Sequence, residues 1–81
     1  MRLDRSRVAL AFGATLRTAR HQRGISQEKL AEACDMDRTY PSLLERGKRT
    51  PTLTVLLHLA AALDIPAERL IIETNNRIDD G

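Results

Sequence analysis

The stretch SQEKLAEACDMDRTYPSLLERG, residues 26–47, predicts two short helices joined by a tight turn. Ser26 is a good N-cap for the first helix, and apolar residues then recur at the spacing of one buried helical face as far as Cys34. Only Asp35 and Met36 stand between this helix and the next capping residue. A linker this short leaves no chain with which to fold one helix back along the other, so we expect the two helices to cross steeply.

The second of these helices contains a proline that needs an explanation. Asp37 is its predicted N-cap and Gly47 its predicted end, so Pro41 would be the fourth helical residue. The missing N–H group there removes only the first intrahelical hydrogen bond, whereas a central proline costs about 3 kcal/mol. Because proline also disfavours the α conformation at Tyr40, we expect a loosened or 3₁₀-like first turn, followed by regular α-helix from Pro41 to Arg46.

Helical periodicity covers most of the remaining chain. Gly24 is a stop signal for a first amphipathic helix, Thr52 is a cap for a fourth helix, and Pro66 opens a fifth. The predicted helices span residues 7–23, 26–34, 37–46, 52–63 and 66–72. We assign them to one domain over residues 1–73, followed by a polar tail over residues 74–81 that is expected to fray. No segment alternates as a strand, so the predicted fold class is all-α.

Length and composition favour a binding module over an enzyme. The 81 residues suffice for one modest helical core and are too few for two. The sequence offers no nucleophile–base pair, metal-ligand set or phosphate-binding loop, so we expect no enzymatic activity, metal or other cofactor. Phe12 and Tyr40 are the only aromatic residues, which argues against stacking on the bases of single strands.

Charge is distributed unevenly along the chain. Residues 1–49 hold 11 Lys and Arg against 6 Asp and Glu, a net charge of +5, whereas residues 50–81 hold 2 against 5, a net charge of −3. This asymmetry predicts a surface that faces a polyanion. An ordinary solvated charged surface would explain the charge alone equally well.

Cysteine usage and hydropathy favour a cytoplasmic protein with no membrane span. Cys34 is the only cysteine, so no intramolecular disulfide can form, and its position in the second helix suits a small buried hydrophobe. The longest apolar stretch, residues 53–63, is interrupted by His58 and is far shorter than the roughly 20 residues that a membrane span needs.

Several motifs in order resemble one family of DNA-binding domains. Arg20 with Gly24, then SQEKLAEACDMDRTYPSLLERGKRTP, then LLHLAAALDIPAERLI resemble the helix-turn-helix domain of the lambda-type phage repressors and Cro proteins, the XRE type. The resemblance covers residues 8–72 and implies a compact five-helix fold with the helix-turn-helix at helices 2 and 3. The RTY…ER segment is most similar to the small controller proteins of restriction-modification systems. Asp35 departs from the family, which usually has glycine there, but Asp accepts a left-handed conformation at modest cost.

The resemblance makes the third helix a recognition helix, which would enter a major groove about 12 Å wide. Arg38 leads it with a planar fork that can grip O6 and N7 of guanine. The ring of Tyr40 could instead pack on the scaffold while its hydroxyl meets a base or a phosphate. The residues predicted to read bases are Arg38, Thr39, Tyr40, Ser42 and Leu43.

Phosphate contacts are predicted on either side of that helix. Gln27 would present its amide and the start of the second helix to the DNA backbone, as its family counterpart does. Arg46, Lys48 and Arg49 would bind phosphates beyond the recognition helix, although a basic C-terminal turn that complements the helix dipole would explain the same residues. Arg20 and Glu45 resemble the structural ion pair of the family, so Glu45 is predicted to be scaffold.

Together these features predict a sequence-specific, double-stranded DNA-binding transcription regulator. One short recognition helix reads few base pairs, so we expect a homodimer on a pseudo-palindromic operator, with recognition helices about 34 Å apart. Leu70, Ile71 and Ile72 offer more apolar surface than a short fifth helix needs, and we predict the dimer contact there. Ile72 covering the core is the alternative.

The sequence leaves other aspects of function open. An antitoxin-type protein that binds a partner and uses DNA only for autoregulation would carry the same motifs, and a cotranscribed toxin gene would distinguish it. Repressors and activators share one reading head, so contact with RNA polymerase is expected only if the protein is an activator. The operator sequence is likewise not predicted.

Overall fold

The computed structural model describes residues 3–80, and within that range it contains five α-helices and no strand. The helices are α1 Arg5–Arg23, α2 Gln27–Ala33, α3 Tyr40–Glu45, α4 Leu53–Leu63 and α5 Ala67–Asp80. The predicted all-α class and helix order are confirmed. Residues 1 and 2 of the predicted domain and residue 81 of the predicted tail lie outside the described range. None of the helices described is long and apolar enough to cross a bilayer.

Side-chain caps determine where three of the helices begin. Asp4, Ser26 and Thr52 each accept a hydrogen bond from the backbone N–H three residues later, at 2.9, 3.0 and 3.1 Å. The caps predicted at Ser26 and Thr52 are confirmed. Because Asp4 also caps, α1 starts at Arg5, two residues earlier than predicted. Gly24 ends α1 in the left-handed conformation, with φ of 78°.

The start of α3 differs from the prediction. Thr39, not Asp37, occupies the N-cap position of α3. The Asp37 carboxylate instead accepts hydrogen bonds from the N–H and the hydroxyl of Thr39, at 2.8 and 2.5 Å. Because the Asp37 side chain bonds Thr39, it does not cap α3. The connection from α2 to α3 is therefore longer than the two predicted residues. Asp35 adopts the predicted left-handed conformation in it, with φ of 51°.

Pro41 explains the conformation of the turn that leads into α3. It has no N–H with which to reach the Asp37 carbonyl, and the N–H of Tyr40 donates to that carbonyl instead, at 3.0 Å. This bond joins residues three apart, as in a 3₁₀-helix. The predicted 3₁₀-like first turn and the regular helix after it are therefore confirmed, although α3 ends at Glu45 rather than at Arg46.

The core draws on all five helices. Six leucines are fully buried: Leu16, Leu30, Leu44, Leu59, Leu63 and Leu70. α1 packs against both α3 and α5, and Gly13 is the point of closest approach to α3. A Cβ atom at Gly13 would lie 2.5 Å from the carbonyl oxygen of Leu44 and 2.6 Å from that of Glu45. The missing side chain therefore lets the backbone of α3 rest directly on α1.

α5 continues to Asp80, so the predicted polar tail over residues 74–81 is wrong as far as the structure describes it. Thr74 and Ile78 follow Leu70 at four-residue spacing and are buried with it. Arg77 donates to two threonine hydroxyls of α1, at 3.0 and 3.1 Å. These contacts with α1 stabilise turns in which the sequence shows only isolated apolar residues.

Candidate nucleic-acid interface

A shallow depression of about 340 Å³ lies where α2 and α3 begin. It is lined by Gln27, Glu28, Arg38, Thr39, Ser42, Leu43 and Arg46. All of these except Glu28 were predicted from the sequence to read bases or to bind phosphate. The fold therefore brings together, on one surface, residues that lie up to 19 positions apart in the chain.

Asp37 orders the turn that leads into α3 at this surface. Hydrogen bonds from the hydroxyl and then the N–H of Thr39 lower the pKa of the Asp37 carboxyl below its ordinary value. Asp37 is therefore a carboxylate at neutral pH, and the Thr39 hydroxyl proton points to it. Arg38 lies between these two residues in the chain and is exposed.

The face of α3 that lines the depression is partly exposed, whereas the face that packs on the core is buried. Ser42 and Leu43 are half-buried and line the depression, whereas the adjacent Leu44 belongs to the core. Tyr40 does not line the depression, because its ring packs against the core. The ring therefore packs on the scaffold as predicted, and a contact of the Tyr40 hydroxyl with a base or a phosphate stays a prediction.

Glu28 also lines this depression, and the sequence analysis did not single it out. Its carboxylate belongs to the first turn of α2, beside Gln27, and lines the same depression as Arg38. A negative charge in the first turn of α2 is favourable to the helix dipole. The helix dipole alone therefore explains a glutamate at this position. The signal available in the sequence was its place next to a predicted phosphate-binding residue.

The predicted ion pair between Arg20 and Glu45 is present and nearly buried. Arg20 Nε lies 2.6 Å from Glu45 Oε2, and Arg20 Nη2 donates to Oε1 at 3.1 Å. Gln27 Nε2 donates to the same Oε1, also at 3.1 Å. The pair therefore ties α1, α2 and α3 together. Gln27 is bound to this network, while its backbone N–H, as the first of α2, has no acceptor within the helix.

Lys48 and Arg49 lie apart from the first depression. They line a second one, of about 310 Å³, together with Arg5 at the start of α1. Arg46 is thus the one predicted phosphate-binding residue after α3 that shares a surface with the predicted base readers. Arg5 was not predicted as a site residue, because nothing in the sequence spacing connects it with residues 48 and 49.

Comparison with known proteins assigns this arrangement to a family. Residues 11–70 match the family HTH_31, described as a helix-turn-helix domain. The chain belongs to the helix-turn-helix family. Its helix-turn-helix comprises α2, the turn around Asp35 and α3, as the resemblance noted in the sequence implied.

Individual relatives agree with this assignment. The helix-turn-helix chain is 38% identical over 72 residues to a hypothetical transcription factor of Neisseria meningitidis serogroup B, spanning 89% of this chain and 66% of that protein. It is 38% identical over 65 residues to the control protein C.BamHI of Bacillus amyloliquefaciens, spanning 79% of this chain and 80% of that one. The crystal structure of the restriction-modification controller protein C.AhdI from Aeromonas hydrophila is 44% identical, with a TM-score of 0.74 over 76% of this chain and 94% of that one.

The apolar residues predicted for a dimer contact do not all lie on the surface of this helix-turn-helix domain. Leu70 is 1% exposed and belongs to the core of the chain itself, so its assignment to a dimer interface is wrong. Ile71 and Ile72 are 50% and 57% exposed. Leu53 and Leu57 of the neighbouring α4 are also exposed, and the sequence analysis did not assign them to a dimer contact.

Cys34 is buried in the helix-turn-helix core, as predicted for a small hydrophobe. Burial raises the pKa of its thiol, and the Sγ atom lies 3.5 Å from the carbonyl oxygen of His58. Within residues 3–79, no three His, Cys, Asp or Glu side chains come together as metal ligands would.

Proposed function

We propose that this chain is a transcription regulator that binds double-stranded DNA in a sequence-specific manner as a homodimer. The observation that carries the proposal is the depression in which Arg38, Ser42 and Leu43 stand beside Gln27 and Arg46. Groups suited to base edges are flanked there by groups suited to phosphates. The relatives are transcription factors and controller proteins, which supports a regulatory role and not an enzymatic one.

One set of these residues would read bases and the other would bind phosphates. Arg38 grips O6 and N7 of a guanine with its planar fork, and Leu43 touches a thymine methyl group. Thr39 and Ser42 add short hydrogen-bonding groups. Gln27, through the start of α2, and Arg46 hold the backbone and so set the register in which α3 meets the bases.

A homodimer is part of the proposal. α3 has only six residues and spans few base pairs, which is too little for useful specificity. The exposed apolar side chains of α4 and α5 offer a surface for a second copy. Two recognition helices about 34 Å apart would then read the two halves of a pseudo-palindromic operator. We place the protein in the cytoplasm with its DNA, and expect contact with RNA polymerase if it activates a promoter.

Selection of bound duplexes from a random pool tests this function directly. We expect enrichment of a pseudo-palindrome whose half-site centres lie about 10 base pairs apart. Footprinting of the region upstream of the gene itself then asks whether the selected sequence is present there. A pool that stays random after repeated rounds would contradict sequence-specific binding.

Two arginine variants separate base reading from phosphate binding. Arg38→Ala is expected to cost about 1–3 kcal/mol on the selected site and to relax specificity at one base. Arg46→Ala is expected to weaken binding to all duplexes alike and to reduce the salt dependence by about one unit. An equal loss on random DNA for Arg38→Ala, or a loss at one operator position for Arg46→Ala, would contradict the two assignments.

A further inference from the structure

The second depression is a basic surface that the helix-turn-helix does not account for. It is lined by Arg5, Ser6 and Ala9 of α1 and by Gly47, Lys48, Arg49 and Thr50 of the loop after α3. Three of these residues are cations and none is an anion. Among the side chains that the structure describes, those of residues 3–79, no hydrogen bond or ion pair engages Arg5, Lys48 or Arg49. These charges are therefore available to a ligand.

The loop after α3 is hydrogen-bonded to α3 through its backbone and packs on α1 at Gly47. Gly47 has φ of 72°, which a residue with a side chain rarely adopts. The N–H of Gly47 donates to the Leu44 carbonyl at 3.1 Å, and that of Lys48 to the Leu43 carbonyl at 2.9 Å. A Cβ atom at Gly47 would lie 2.7 Å from Cδ2 of Leu10, so the loop lies directly on α1. This contact brings the loop cations to the start of α1.

The positive charge of Arg5 does not stabilise α1. Arg5 is the first residue of the helix, where the positive end of the dipole disfavours positive charge. The neighbouring carboxylate of Asp4 accepts the N–H of Arg7 as the helix cap. Arg5 is thus a solvent-facing cation that local helix energetics alone would not place there.

We infer that Arg5, with Lys48 and Arg49, binds phosphates of the DNA backbone beyond those held by Arg46. The inference rests on the proposed function and extends it from the helix-turn-helix to the start of α1. The linings of the two depressions meet at consecutive residues of the chain, since Arg46 lines the first and Gly47 the second. A guanidinium beside two further cations and two hydroxyl groups, with no carboxylate in the lining, fits phosphate oxygens.

The salt dependence of duplex binding tests the inference. Arg5→Ala is expected to weaken binding to selected and random duplexes alike, by roughly two- to tenfold near 0.1 M salt, and to reduce the slope of log K against log salt by about one unit. Arg5→Lys retains the charge and should retain most of that slope. The matched control is Arg69→Ala on α5, which removes an exposed arginine paired with Glu73 and should leave the slope unchanged.

Phosphate ethylation interference gives the position of the contact. The wild-type protein should show a phosphate at which ethylation weakens binding and which no longer matters for Arg5→Ala. If Arg5→Ala superimposes on Arg69→Ala in both the salt series and the interference pattern, the inference is overturned while DNA binding stands. If the wild-type protein binds no duplex, the proposed function itself fails.

Discussion

At the scale of single residues, Asp37 holds the turn that carries two of the predicted base readers, Arg38 and Thr39. Its carboxylate binds the N–H and the hydroxyl of Thr39 and so orders the turn that presents Arg38. Because the folded-state pKa lies below the ordinary carboxyl value, this ordering is present at neutral pH and is lost only as the pH falls through the lowered pKa.

Two substitutions at Asp37 distinguish ordering from charge. Both Asp37→Asn and Asp37→Ala remove a negative charge near the DNA, but only asparagine keeps an oxygen that can accept from Thr39. We expect the ratio of affinities for operator and random DNA to be largely retained in Asp37→Asn and to fall several-fold in Asp37→Ala. Equal ratios for both variants, measured by fluorescence anisotropy, would mean that the turn needs no such hydrogen bond.

Glu45 is expected to be a stability residue despite its place in the recognition helix. Its side chain is 4% exposed and that of Arg20 is 10% exposed, so Glu45→Ala leaves a buried guanidinium without its carboxylate. We expect a loss of about 3 kcal/mol or more in the free energy of unfolding, measured with urea. Glu73→Ala is the control, because it breaks the exposed pair with Arg69 and should cost about 0–1 kcal/mol. A similar small loss in both variants would contradict a structural role for the buried pair.

At the scale of elements, the contact between α1 and α3 controls where the recognition helix stands. Helix propensity alone predicts that Gly13→Ala stabilises α1 by up to about 1 kcal/mol. The new methyl group would instead collide with two backbone carbonyl oxygens of α3, which cannot rotate away as a side chain can. The tertiary contact therefore reverses the sign expected from the helix.

We expect Gly13→Ala to lower the free energy of unfolding by about 1–3 kcal/mol and to weaken DNA binding, because α3 must move. Ala14→Gly is a control in the same helix, since Ala14 is half-buried and its loss of propensity should cost up to about 1 kcal/mol without displacing α3. Thermal unfolding and operator titration of the two variants measure both effects. A more stable Gly13→Ala protein with full affinity would show that α3 accommodates the methyl group.

The start of α3 and the end of α5 have causes that lie at different distances along the chain. α3 begins late because Asp37 binds Thr39 and because Pro41 lacks an N–H group, and both causes are local. α5 ends late because Thr74, Arg77 and Ile78 contact α1, which is a cause distant in sequence. A pass along the sequence can find the first kind of boundary and misses the second.

At the scale of the whole molecule, the apolar residues left on the surface concern assembly. Ile72 is 57% exposed on α5, and Leu57 is 49% exposed on α4, the helix packed beside it. Burial of one isoleucine side chain contributes about 1.5–3 kcal/mol, and a symmetric dimer buries each such residue twice.

We therefore expect Ile72→Ser to raise the dimer dissociation constant at least about tenfold, as measured by analytical ultracentrifugation. Leu10→Ser is the matched control, because Leu10 is 61% exposed on α1, where it lies beside Gly47 of the loop after α3, and should leave the dissociation constant unchanged. A wild-type protein that stays monomeric at micromolar concentration would contradict the homodimer, since Ile72 is too exposed in the single chain to serve as a cover for the core.

The sequence by itself was sufficient for the order of five helices, the caps at Ser26 and Thr52, the ion pair implied by the resemblance and the loosened turn before Pro41. Periodicity, capping and proline geometry act over a few neighbouring residues and are therefore visible in the order of residue types. The predicted base readers other than Tyr40 share one surface with Gln27 because the helix-turn-helix is itself a short, local unit.

Only the tertiary structure decided which apolar residues are free and which cations are neighbours. It placed Leu70 in the core, carried α5 along α1 to residue 80, and set Arg5 beside Lys48 and Arg49. Each of these outcomes depends on contacts between segments that are far apart in the chain. Helical spacing specifies the face on which a residue lies, whereas the packing of the other helices determines whether that face is covered.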